Sequence, residues 1–166
     1  MPSSSPAYDG AFDWRVSVAD VDEDGPFSTF VGHDRILVLL SGAGMHLHFT
    51  TTGVKVSVRP SHRVARFSGS APIDARLIDG PTTDLNLIWR RDAYVVSVHE
   101  GAAAAALPVV TPAAHAVLYL AEGELAAGPG SPPVGAGDLV IGEPGEQLTG
   151  RCTGRWVVFM LHPSSQ

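Results

Sequence analysis

The sequence predicts an all-β chain built as two fused jelly-roll β-barrels. Three observations point there. Short apolar or alternating runs recur along the chain, each closed by Gly, Pro, Asp or Ser, which is the pattern of many short strands. No stretch carries the apolar spacing of a long amphipathic helix. A weak internal repeat relates the two halves: RILVLLSGAGMHL and AVLYLAEGEL are each an apolar strand running into a glycine turn, with Gly42 set against Gly123.

Taken in order, residues 1–11 are rich in Ser, Pro and Gly and read as a flexible N-terminal arm. Residues 12–100 form the first half. Trp14, Val16 and Val18 alternate with Arg15, Ser17 and Ala19, a half-buried strand whose second face carries Arg15 and Ser17 toward solvent or into a polar pocket. Asp24-Gly25-Pro26 reads as a turn, followed by the polar and aromatic run Phe27 to Phe30 and a second turn at Gly32-His33. Arg35 to Leu40 is an apolar run bounded by glycine, the signature of a buried strand, and Ser41 to Gly44 reverses it. Met45 to Phe49 and Val54 to Val58 make a hairpin around Thr50 to Gly53. Short strands follow at Val64 to Phe67, Ala75 to Ile78, Leu85 to Trp89 and Tyr94 to Val98.

Residues 101–110 read as a linker. Their five alanines favour helix, but are too few to hold one alone. Residues 111–166 form the second half, with strands at Ala116 to Leu120, Leu139 to Ile141 and Trp156 to Leu161, and turns at Gly137-Asp138 and Glu143 to Glu146. Two such halves make a double cupin.

Composition narrows the function. The net charge of −6 argues against a nucleic-acid partner or an anionic membrane surface. No apolar run reaches the length of a membrane span, and Met1 to Pro6 lacks the basic and apolar regions of a signal peptide. The single Cys152 excludes an internal disulfide and fits a reducing compartment, so the expected location is cytoplasmic. A homodimer is left open, as is the partner through which a regulator would act.

The candidate chemistry lies in the first half. His46 and His48, two apart on a strand, share a face and form the start of a metal set. A metal-dependent enzyme would add His62. Zinc or iron needs three or four converging ligands, and no carboxylate occurs between Phe49 and Ser57, so no metal or other cofactor is expected and the histidines are assigned to a polar cavity or to solvent. No Gly-x-Ser-x-Gly elbow or phosphate loop is present. Asp84 and Asn86 lie on one face of a strand, and Asn86, between two leucines, suits a buried polar role. Arg35 opens the apolar strand, where its fork could grip a carboxylate. The plainer reading pairs it with Asp34.

These residues carry a resemblance. The segments WRVSVADVDEDGPFSTFVGHDRILVLLSGAG and FSGSAPIDARLIDGPTTDLNLIWRR, with GPFS-x-F-x-G-x-D-R and D-x-N-L within them, resemble the HutD/Ves family of bicupin proteins over Phe12 to about Arg91. That family is associated with bacterial histidine utilisation. The resemblance implies a bicupin fold, no obligatory metal, and a regulator that senses a small acidic metabolite such as N-formylglutamate rather than a catalyst. The implied pocket residues are Phe27, Ser28, Asp34, Arg35, Asp84 and Asn86. Arg15, Ser17, His46 and His48 join them as candidate ligand-binding residues from the strand pattern. Family members usually open with a Trp-x-Asn-Gly-Gly-Gly strand, which Met1 to Gly10 do not carry: either the strand is lacking, which would leave an open barrel edge, or the start of the chain is assigned too late.

Overall fold

The computed structural model describes residues 12–102, 105–108, 112–126, 132–146 and 148–164. The described residues contain strands and turns but no helix. The chain divides into two compact units between Ala93 and Tyr94. The first contains β1 (Trp14–Val21), β2 (Gly25–Pro26), β3 (His33–Ser41), β4 (Met45–Phe49), β5 (Lys55–Val58), β6 (Val64–Ser68), β7 (Ile73–Leu77) and β8 (Thr82–Arg90). The second contains β9 (Tyr94–Gly101), β10 (Ala105–Ala106), β11 (His115–Leu120), β12 (Glu124–Ala126), β13 (Val134–Gly135), β14 (Leu139–Gly142), β15 (Arg151–Cys152) and β16 (Trp156–Pro163).

Each unit is a pair of four-stranded antiparallel sheets. In the first unit one sheet runs β1-β8-β3-β6 and the other β2-β7-β4-β5. Their facing sides form a core of Leu37 and Leu39 from β3, Met45 and Leu47 from β4, Val58, Ala65, Ile73 and Ala75. Burying each of the larger side chains is worth roughly 1.5–3 kcal/mol. In the second unit the sheets run β14-β11-β16-β9 and β10-β15-β12-β13, around Leu118, Leu120, Trp156, Val158 and Cys152. The all-β expectation holds. The barrels, however, are not closed, since the four sheets are separate.

The chain passes from one sheet to the other at the repeated glycine turns. Gly42 and Gly123 both hold left-handed backbone, with φ of 87° and 82°, a conformation that costs glycine little. The structure differs from the sequence reading at three places. Gly25–Pro26, read as a turn, is a short strand paired to Ala75 and Asp74. Proline is tolerated there because β2 is the outer strand of its sheet. β9, placed in the first half by its position in the sequence, pairs along its whole length with β16. Within the stretch read as a linker, Gly101 ends β9, and Ala105–Ala106 pair with Arg151–Cys152. Residues 103, 104, 109 and 110 lie outside the described ones, as does the N-terminal arm.

Candidate functional site

Strand register builds the site. Across the first sheet, Arg15 and Arg35 both stand opposite Ile88, Ser17 and Leu37 opposite Asn86, and Ala19 and Leu39 opposite Asp84. Directly opposed residues share a face, so all of them project to the side that covers the core. Leu37 and Leu39 enter that core. On the β1–β8 side the face stays open, and with the segment 20–30 it encloses a cavity of about 720 Å³. That is within the usual range for small-molecule sites.

A buried polar relay lies on the cavity wall. Arg35, only 9% exposed, donates from Nε and Nη2 to Asn86 Oδ1 at 2.9 and 2.6 Å. Asn86 in turn donates from Nδ2 to Asp84 Oδ1. The Arg35 guanidinium lies 4.5 Å from the ring centre of Phe27 and 5.6 Å from that of Phe67, within cation–π range of both. Burial pulls the Arg35 pKa down to about 10, Asp84 opposes that, and the charge of Arg15 adds to it; the group stays cationic at neutral pH. Burial pushes the Asp84 carboxyl up, against the Asn86 hydrogen bond and the charge of Arg35, with Asp20 adding to the rise. The asparagine amide thus stands between the buried guanidinium and the buried carboxyl group and bonds one side of each.

Of the residues singled out from sequence, Arg15, Ser17, Phe27, Ser28, Arg35, Asp84 and Asn86 line this one cavity. Asp34 does not. It neighbours Arg35 in the strand, projects to the opposite face, and pairs with Arg91 Nη2 at 3.1 Å. This also replaces the Asp34–Arg35 pairing considered above. His46 and His48 lie on β4 between the core residues Met45 and Leu47 and beyond, on the outer face of the second sheet. His46 Nδ1 is hydrogen-bonded to Ser57 Oγ at 2.8 Å. His62 sits in the turn it closes with Arg59. Among the described residues no three His, Cys, Asp or Glu side chains group as metal ligands would, so the arrangement required by the metal-enzyme alternative is not formed. Cys152, on β15, is a buried core residue whose thiol pKa is raised by burial.

Two features around the relay and the cavity were missed. Phe67 flanks Arg35 from β6, a contact with no local sequence signal. The acidic run Asp20 to Asp24 forms the rim, and its charge density in VADVDEDG was visible. Asp24 is engaged there, accepting from Leu77 N at 2.8 Å.

Comparison with known proteins places this geometry. The chain is 38% identical over 96 residues to an uncharacterized 21.2 kDa protein in the hutC 3' region of Pseudomonas putida, covering 55% of this chain and 46% of that protein. It thus spans about half the length of the curated relatives it matches. The structure of HutD from Pseudomonas fluorescens SBW25, formate condition, superposes with a TM-score of 0.78 at 25% identity, over 99% of this chain and 86% of that one. At the level of fold alone, a cupin 2 conserved barrel domain protein from Leptotrichia buccalis superposes with a TM-score of 0.58 at 8% identity, over 93% and 86% of the two chains. The fold is therefore cupin-like, as the paired glycine-turn halves predicted. A family model described as HutD matches residues 2–160. With that match running over nearly the whole sequence, and the fold of a solved HutD protein shared along it, the chain belongs to the HutD family.

Proposed function

We propose that the first unit binds a small acidic metabolite of histidine breakdown, such as N-formylglutamate, and that the protein acts as a regulator rather than a catalyst. The observation that carries this reading is Arg35. Its guanidinium is buried, lies within cation–π range of Phe27 and Phe67 and is fixed by Asn86, yet Nη1 has no partner among the described residues. Arg15 lies abreast of it on the same face, exposed and also without a partner among the described residues. A carboxylate entering the cavity meets one preorganised cation and one adjustable cation, the arrangement in which charge-assisted hydrogen bonds are strongest.

Calorimetric titration of N-formyl-L-glutamate tests the reading. The wild type is expected to bind it. Arg15→Ala is expected to bind roughly tenfold more weakly, the lower end of a charged hydrogen bond because Arg15 is exposed. The Arg15 side chain makes no hydrogen bond or ion pair among the described residues and its charge opposes that of Arg35, so Arg15→Ala should not lower the melting temperature. A wild type that binds neither this nor a related acid would end the proposal.

A further inference from the structure

The cavity is not uniformly cationic. Arg15 and Arg35 lie abreast at Ile88. Two residues along β8 comes Asn86, two further comes Asp84, and the rim beyond carries Asp20, Asp22 and Glu23. Asp84 is the informative group. It is 1% exposed and lines the cavity. Its Oδ1 accepts from Asn86, while its Oδ2 has no hydrogen-bond partner among the described residues. Thr82 Oγ1, on the same face of β8, is likewise without a partner and makes no bond to it. Asn86 Nδ2 is committed to Oδ1, and Arg35 Nε and Nη2 are committed to Asn86. A buried carboxylate oxygen is rarely left without a donor, and here the side chains around it do not provide one.

We propose that Asp84 Oδ2 is the acceptor for an N–H group that the ligand carries next to its carboxylate, so that the cavity takes an α-amino or α-acylamino acid with its carboxylate at Arg35 and Arg15. This rests on the acid-binding reading above and narrows it. The Asn86 amide bridges Arg35 and Asp84, keeping them one amide group apart. An α-nitrogen and its carboxylate are spaced by a single carbon, a comparable reach, so one ligand touches both ends of the relay. A plain dicarboxylic acid has the same two carboxylates but no N–H between them and Oδ2, and would leave Oδ2 unpaired. Discrimination of this kind is strong because a buried polar group left unpaired penalises the wrong ligand.

The test titrates N-formyl-L-glutamate, L-glutamate and glutarate into the wild type and Asp84→Asn. In Asp84→Asn the carboxamide oxygen stays toward the Asn86 donor, which puts an NH₂ where Oδ2 was and turns the acceptor into a donor. At least one of the two nitrogen-bearing acids is expected to bind the wild type roughly tenfold or more tightly than glutarate. In Asp84→Asn that ratio should shrink to within about threefold. Glutarate binding as tightly as both others, or a preference that survives Asp84→Asn, overturns the role of Asp84 while leaving acid binding intact. If none of the three acids binds the wild type, acid binding itself fails and this inference falls with it. Should Asp84→Asn not fold, the wild-type ranking alone decides: a preference for the N–H acids supports the inference, and parity with glutarate overturns it.

Discussion

Replacing Asn86 with leucine should lower the stability of the protein by about 3–5 kcal/mol, the usual loss when one member of a buried charged network is removed. Asn86 is 2% exposed and bridges Arg35 to Asp84. Leucine fills nearly the same space, so the loss isolates the polar role: it strands a buried guanidinium and a buried carboxylate, each short of a partner. Denaturant unfolding followed by circular dichroism measures it. Converting the whole relay to apolar residues, with Arg35→Met, Asp84→Leu and Asn86→Leu together, should recover most of the stability, because no buried charge is then left uncompensated. A loss under about 1 kcal/mol in the single variant would mean the relay is not a coupled unit.

Gly44→Ala should be comparably damaging, by roughly 2–5 kcal/mol when positive-φ strain and overpacking are combined. Gly44 holds φ of 97° in the turn between β3 and β4. A Cβ there would lie inside the van der Waals envelope of the Val58 carbonyl oxygen, a backbone atom of β5 that cannot rotate aside. The expected result is a large fall in melting temperature. Gly53→Ala is the control, since it shares the positive φ of 72° but has open space where the Cβ would go. Equal effects from the two substitutions would show that backbone strain alone, not the approach of β5, governs the turn.

The strands were legible where burial leaves a mark on the sequence. The run from Ile36 to Leu40 reads as continuous because β3 is buried on both faces. The glycine turns were legible because only glycine adopts those angles at little cost, and Gly42 and Gly123 hold matching backbone in the two units. The clustering of Arg35, Asn86 and Asp84 was partly legible. Alternation puts Asp84 and Asn86 on one face, but only the register of β8 against β3 and β1 brings Arg35, Arg15 and Ser17 to that same face. Register between strands so far apart in the chain has no local signature. Asp34 is different, since neighbours along a strand face opposite ways, and strand alternation by itself separates it from Arg35. The histidines were left between a polar cavity and solvent because His-x-His guarantees a shared face but does not say which one. Here the core takes Met45 and Leu47, leaving His46 and His48 outside. The placement of β9 was illegible for the same reason as the register: its partner, β16, lies at the far end of the chain.

The central claim is that Arg35 and Arg15 form the carboxylate end of a ligand site in the first unit. A crystal structure grown with N-formyl-L-glutamate at a concentration well above its dissociation constant tests this most directly. The account predicts the ligand in the cavity between β1, β8 and the segment 20–30, with a carboxylate oxygen roughly 2.7–2.9 Å from Arg35 Nη1 and a second contact to Arg15. A ligand bound outside that cavity, or within it with its carboxylates turned away from both arginines, would contradict it.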